Sequence, residues 1–355
     1  MENKVTKMDF TGEDVFVGID VHAQSWKVTT MTRNLVHKTF SMEPNVQRLY
    51  SHLTNHFPGA TYFSAYEAGF SGFWLHRELS ALGVHSRVVN AADVPTTDKE
   101  RTQKEDKRDS RKIAQGLRSA ELRSIYTPTE KEENDRCLIR KRATIVKDIT
   151  RTKNRIKALL YFNGKNREIS AKNYWSKRII LLLEQMEFDH PSGKLNLKIL
   201  LDELEMQRMF LLRINRQIKE LSRTDDYREN VELLLTIPGI GLTSAMVILT
   251  ELCTLTRFKN FAHLSSYLGL VPSTHSSGSK TIVNGITHRT NSRLRGVLIE
   301  SSWVAIRNDP AMGMAYEKLT KRMHGNRAII RIAKKLLSRM VHILNKKEPY
   351  RKSMG

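Results

Sequence analysis

The sequence predicts an α/β domain at the N-terminal end, a long helical middle and a mostly helical C-terminal region, and three observations carry that prediction. Short apolar runs that end in an acid alternate with helical stretches before residue 90. Apolar residues then recur at steps of seven, four and three. The last third holds a proline-glycine turn, a polar serine-glycine loop and two helical periods. At 355 residues, with about 150 per domain, there is room for two or three domains. The changes of pattern set the boundaries at 1–125, 126–226 and 227–355.

The first predicted strand is Asp14 to Asp20, an apolar run closed by an acid, as expected of a strand buried on both faces. Trp26 to Met31 and Lys38 to Ser41 follow too closely to leave room for helices, so the three form an antiparallel meander. A helix near Asn45 to His56 leads to the strand Ala60 to Glu67, and Trp74 to Leu82 is a helix before the strand Val84 to Val89. Strands separated by helices run parallel, and this order resembles an RNase H-like sheet. Asp93 to Lys104 reads as a linker entering a helix from Asp106 to Glu121.

In the middle, one seam runs through Leu138, Ile145, Ile149, Thr152, Ile156 and Leu159. A second runs through Leu197, Leu200, Leu204, Leu211, Ile214, Ile218 and Leu221. These are coiled-coil-type helices, broken at Asn163-Gly164-Lys165-Asn166 and Pro191-Ser192-Gly193, which predicts an antiparallel hairpin. The seams fit packing within one chain and packing between copies equally well. From Tyr227 onward the sequence predicts helices near Ser292 to Ile306 and Arg327 to Leu344.

Composition narrows the function. The 59 lysines and arginines exceed the 37 acids to give +22, an excess that calls for a polyanion such as nucleic acid. Apolar runs fall short of the ~20 residues that span a bilayer, and the start Met-Glu-Asn-Lys-Val-Thr-Lys lacks the apolar core of a secretory signal. The expected location is therefore cytoplasmic. Two cysteines, Cys137 and Cys253, make neither a disulfide framework nor a zinc site.

Four acids stand out by position. Asp20 and Glu67 end strands, and Asp106 and Asp109 lie three apart on one helix face. In the predicted sheet those strand ends are neighbours. Four converging carboxylates repel unless hard cations lie between them, and Mg²⁺ takes such oxygen ligands while binding phosphate. Taken singly, each acid also fits a cap or an ion pair, and His22 is as well explained as an ordinary polar side chain.

Leu235 to Gly241 followed by Thr243-Ser244-Ala245 has the form of a helix-hairpin-helix turn, in which Gly239 and Gly241 let backbone amides approach a phosphate. Ser273 to Lys280 reads as a flexible loop, and Val283-Asn284-Gly285-Ile286 has an Asn-Gly hairpin signature. Lys280, His288, Arg289, Arg293 and Arg295 surround that loop with cations able to hold a phosphate. By composition alone, a solvated serine-glycine loop explains it as well. Lys147, Arg151, Lys153, Arg155 and Lys157 make a basic helix face that also suits nucleic acid.

Gly18-Ile19-Asp20-Val21-His22, Tyr66-Glu67-Ala68-Gly69, Lys104 to Asp109, Ile237 to Gly241, and Gly269-Leu270-Val271-Pro272 leading to Ser276-Ser277-Gly278 together resemble the DEDD transposases of bacterial insertion sequences. That family includes bridge-RNA-guided recombinases and is related to Piv-type DNA invertases. The resemblance spans nearly the whole chain, and it implies a RuvC-like RNase H-fold domain, a coiled-coil middle and a C-terminal transposase domain. It places a Mg²⁺-binding tetrad, with Mn²⁺ as a substitute, on Asp20, Glu67, Asp106 and Asp109. The nucleophilic serine falls on Ser277, with Ser276 and Ser279 adjoining it. It also implies donor and target DNA, a structured noncoding RNA, and a dimer or tetramer whose serine acts in another protomer's site. Ala68-Gly69-Phe70 departs from the Ala-Thr-Gly of many members. Competing expectations are a protein-only invertase, a RuvC-like nuclease that uses water, and an architectural protein without catalysis.

Overall fold

The structure, a computed structural model, describes residues 9–94, 106–165, 175–277, 280–286 and 290–351, with the backbone alone described at 106–108, 272–277 and 280–286. It divides into two compact units, 1–128 and 129–355.

The first unit is built on five strands, β1 (Asp14–Val21), β2 (Trp26–Met31), β3 (Val36–Met42), β4 (Thr61–Glu67) and β5 (His85–Val89). Their order in the sheet is β3-β2-β1-β4-β5. β1, β2 and β3 pair antiparallel, while β1, β4 and β5 pair parallel, as the spacing of strands and helices predicts. Between them lie α1 (Val46–His56) and α2 (Trp74–Ala81), with α3 (Asp106–Arg118) after the sheet. Asn45 caps α1 by accepting a hydrogen bond from the Arg48 amide.

The unbroken apolar run of β1 follows from its two covered faces. Val15, Val17 and Ile19 are buried with Trp26, Tyr62, Leu49, Leu53, Leu75 and Leu79, the side taken by α1 and α2. Phe16 is buried on the other side with Met31, Ala65, Ile113, Ala114 and Leu117, the side taken by α3. Sheets covered on both faces do not show hydrophobic and polar alternation.

In the second unit, α4 (Glu130–Phe162) and α6 (Pro191–Leu221) form the expected antiparallel hairpin, and α5 (Lys177–Gln185) packs on α6. Arg142 reaches Asn215, whereas Thr152, further along α4, reaches Glu203, earlier in α6, which sets the direction. The seam is closed within the chain: Ile145, Ile149 and Ile156 are buried in one cluster with Leu197, Leu204, Ile214 and Ile218. Thr129 and Glu132 form a capping box at the start of α4, and Pro191 supplies the first turn of α6 rather than only ending what precedes it.

Among the described residues six further helices and a hairpin complete this unit: α7 (Arg228–Leu235), α8 (Leu242–Leu252), α9 (Phe261–Tyr267), α10 (Ser292–Asn308), α11 (Pro310–Thr320) and α12 (Gly325–Lys346). Their buried residues join the cluster that holds the α4–α6 seam. Where the sequence predicts a flexible serine loop and an Asn-Gly turn, the chain forms β6 (Pro272–Ser277) paired with β7 (Lys280–Ile286). Asn284 and Gly285 lie inside β7. Pro272 pairs with Ile286 and Ser273 with Asn284, so Gly285 is the extra residue of a bulge, and the reversal falls between Ser277 and Lys280. No helix among the described residues is long and apolar enough to cross a membrane.

Candidate active site

Asp20 and Glu67 meet by strand register. Ile19 stands opposite Tyr66 in the parallel pair of β1 and β4, so the next residue of each strand lies at one edge of the sheet. Ile19 and Tyr66 are both buried in the core of α1 and α2. Alternation therefore puts Asp20 and Glu67 on the opposite face, that of Gly18 and Ala65, which α3 covers.

The close seat of α3 depends on Gly18. A Cβ there would lie 2.0 Å from the Ser110 carbonyl oxygen and 2.5 Å from the Ala114 nitrogen. Ser110 and Thr29, both fully buried, share a hydroxyl hydrogen bond of 2.9 Å, and Thr29 continues to Thr39 at 2.8 Å. Ser110 thus lies over Gly18, while Ala114 and Leu117 pack with Phe16 nearer the start of the strand. α3 runs against β1, and its first turn, carrying Asp106 and Asp109, lies at the Asp20 and Glu67 end of the sheet.

The Asp20 side chain is 20% exposed and takes a 3.0 Å contact from His22 Nε2. Asp109 is 32% exposed, with Lys112 Nζ at 3.6 Å. Lys27, which sequence reading passed over, is the antiparallel partner of Asp20 and donates a hydrogen bond to Ser41. Partners across an antiparallel ladder share a face, so Lys27 lies on the face of the carboxylates while its ammonium turns to Ser41 of β3. Among the described side chains, a set without Asp106, no three His, Cys, Asp or Glu groups lie close enough to share an ion. After Glu67 the Ala68 amide bonds the Val89 carbonyl at 2.8 Å, Tyr66 donates to the Gly72 carbonyl, and Phe70 is 73% exposed.

In the second unit, Ser277 is the last residue of β6 and pairs with Lys280, and Ser276 pairs with Thr281. Ser279 and Arg289 lie outside the described residues. The chain leaves the hairpin through Asn291, which caps α10 by accepting from the Leu294 amide. Asn291 Nδ2 donates to Glu251 Oε2 at 3.0 Å and to the Tyr267 hydroxyl oxygen at 3.3 Å. Glu251 is 1% exposed. Arg140 from α4 bonds both its oxygens at 2.7 Å, and Arg293 Nε lies 3.5 Å away. Burial alone would raise the Glu251 carboxyl, but the hydrogen bonds and charge of Arg140, with Asn291, hold it below its ordinary range. Arg295 likewise turns to the protein, bonding Thr290 at 3.2 Å beside Gly269.

The proline-glycine turn has an internal reason of its own. Gly239 takes φ +90°, and a Cβ would lie 2.3 Å from the Ser301 carbonyl of α10. Gly241 differs: it caps α8, and nothing lies within 4 Å of the place its Cβ would take. On the basic face of α4, Arg151 pairs with Asp148 at 2.9 Å and Arg155 with Glu203 at 3.4 Å. Lys153 stands over the Trp175 ring, and burial together with Arg208 and Lys157 lowers its pKa. Lys147 and Lys157 are exposed.

Two family models match this chain. One, described as a transposase of the DEDD IS110 type, covers 17–163, and the other, the transposase IS116/IS110/IS902 family, covers 231–317. The chain is 30% identical to the transposase-named protein y4qE of Sinorhizobium fredii over 71% of this chain and 60% of that protein. It is 30% identical to y4rJ of the same organism over 76% of this chain and 74% of that one. It is 24% identical to the transposase for insertion sequence element IS1533 of Leptospira borgpetersenii over 96% and 98%. These matches place the chain among transposases, a class of enzymes that cut and rejoin DNA. Within that class, the chain belongs to the IS110/IS116 family of DEDD transposases.

Proposed function

We propose that this chain cuts and rejoins DNA for an insertion sequence, using the four acids and Ser277, with a structured noncoding bridge RNA choosing the sites. The observation that carries the reading is the β1–β4 register, which sets Asp20 beside Glu67 under the end of α3 that bears Asp106 and Asp109. The sheet order and its mixed pairing support an RNase H-like, RuvC-like assignment for the first unit.

The donor set is all carboxylate, which suits a divalent hard cation, and Mg²⁺ is the ion we assign, with Mn²⁺ as a substitute. Asp20, Glu67, Asp106 and Asp109 would hold it, and when bound it supplies charge to the phosphate oxygens. His22 holds one oxygen of Asp20, and Lys27 adds a positive charge on the same face.

In the proposed reaction Ser277 Oγ attacks the scissile phosphorus and its proton passes to a basic group or to water. The bond from phosphorus to the leaving sugar oxygen breaks, and that oxygen is protonated. The phosphoserine ester keeps the bond energy for rejoining. What supports Ser277 is its place at the end of β6, directly before the reversal of the hairpin. The domain bounds 1–125, 126–226 and 227–355, action of the serine in another protomer's site, and assembly as a dimer or tetramer belong to the same proposal.

The test is trapping of the covalent intermediate. Denaturing gels of the quenched reaction should show protein joined to DNA, peptide mapping should place the link on Ser277, and Ser277→Ala should remove it. Cleavage that persists in Ser277→Ala without an adduct would assign the chemistry to water instead. Copurification of one discrete RNA with the full chain supports the RNA partner, and cleavage by RNA-free protein would favour a protein-only recombinase.

A further inference from the structure

Helix α12 carries six lysines and arginines and no acid. Its nine buried residues, among them Ile329, Ile332, Leu336, Met340 and Leu344, occupy one half of the helix surface, with Ala328 at its edge. At 100° per residue the opposite arc, about 120° wide, holds Arg327, Arg331, Lys334, Lys335, His342 and Lys346. All are exposed except Lys334, which is half-buried. Arg339 alone turns away, to pair with the buried Asp309 at 2.9 Å.

The arginines of this arc differ from those of the α4 basic face in having no carboxylate partner among the described residues. Arg151 and Arg155 are each partnered by a carboxylate. Among the described residues no Asp or Glu pairs with Arg327, Arg331, Lys334, Lys335 or Lys346. Exposed charges of one sign on one straight element repel each other, so an anionic partner of matching length would stabilise the arrangement. From Arg327 to His342 the stripe runs about 22 Å along the helix.

We infer that the exposed arc of α12 is a docking surface for the phosphate backbone of duplex DNA. Its chemistry separates a duplex from a single strand. The arc has no Phe, Tyr or Trp on which unstacked bases would lie, and such platforms are how single-stranded nucleic acid and RNA loops are held. Long cationic side chains on a rigid rod instead suit the regular phosphates of a duplex and position it without reading sequence. DNA is the substrate class of transposases, so the inference rests on that reading while adding a surface to it.

The experiment uses the full chain and its variant Arg327→Gln/Arg331→Gln/Lys335→Gln, with binding to a mixed-sequence DNA duplex measured across a salt series. Each phosphate contact contributes about 0.9 to the slope of log K against log salt, so the variant's slope should be shallower by about 2 to 3. An unchanged slope overturns the inference, and so does a loss confined to an RNA hairpin probe. A flat slope in the unaltered protein also overturns it, because no phosphate contacts would then be made, whereas absence of any duplex binding would remove the DNA-cutting reading itself, a separate failure. Because the variant must fold for this to count, a second measurement uses the unaltered protein: acetylation of Lys335 and Lys346 should be suppressed by the duplex, and equal acetylation with and without DNA overturns the inference.

Discussion

Arg140 donates two hydrogen bonds of 2.7 Å to the carboxylate of Glu251, 111 residues further along the chain. The same carboxylate holds Asn291, the cap of the helix that follows the serine hairpin. One buried acid therefore joins the long helix α4, the helix α8 and the exit of the hairpin.

Removing that charge should cost stability in a pH-dependent way. The Glu251 carboxyl is held below its ordinary value of 4.5, so its contribution is present above that pH and is lost as pH falls through the lower folded value. Glu251→Gln should be less stable by about 2 kcal/mol at neutral pH, below the ~3–5 of a fully buried broken pair because Arg140 stays half-exposed to water. Urea titrations at pH 7 and below pH 4 should show the gap closing under acid. A gap that does not change with pH would contradict the ion pair.

Gly18→Ala should loosen the seat of α3. The new methyl would meet backbone atoms of Ser110 and Ala114, which cannot swing aside as a flexible side chain does. Overpacking of this kind costs about 1–3 kcal/mol, and it displaces the element that carries Asp106 and Asp109. Both the denaturation midpoint and the cleavage rate should fall. Full cleavage in a destabilised variant would show that the position of α3 does not matter to the site.

The two glycines of the turn should separate. Gly239→Ala meets the Ser301 carbonyl at a positive φ and should lower the denaturation midpoint through strain of about 1 kcal/mol or more. Gly241→Ala fills open space, so its stability should change by only a few tenths of a kcal/mol to about 1 kcal/mol. If the Gly241 amide meets a phosphate, this second variant should weaken DNA binding in a filter assay while melting nearly as before. Equal destabilisation of the two would contradict the contacts described for Gly239.

Asp20→Asn and Asp109→Asn should each abolish strand cleavage while leaving the fold and the affinity for nucleic acid nearly intact. The charge removed from each serves a bound cation in the proposed function rather than the packing of the sheet. Cleavage assays on matched substrates check this, with circular dichroism to confirm folding. Retained cleavage in both variants would remove these acids from the active site.

Much of this was legible because it is local or periodic. The acids closing β1 and β4 sit at strand ends, and parallel pairing alone makes Asp20 and Glu67 neighbours. The seams of α4 and α6 show in their spacing, although spacing is silent on the partner, and it takes the fold to show Ile145 and Ile214 sharing one core within the chain. The contacts that escaped notice join distant residues. Nothing near Ser110 points to Thr29, 81 residues away, and nothing near Glu251 points to Arg140. Asn284-Gly285 misled for a different reason: a glycine that frees the backbone for a turn frees it equally for a bulge, and only the pairing of Ser273 with Asn284 tells the two apart.

Pairing of β6 with β7 changes what kind of object carries Ser277. A slack loop would search for its target by diffusion of the tip. A two-stranded ribbon of six residues instead forms an arm about 20 Å long, with its base where Pro272 pairs with Ile286. A tilt of ~10° at that base would move the tip by ~3 Å, the scale on which an attacking oxygen is in or out of line. Under the proposed function, the aim of Ser277 would then be governed from the far end of the ribbon, with small changes there magnified along it.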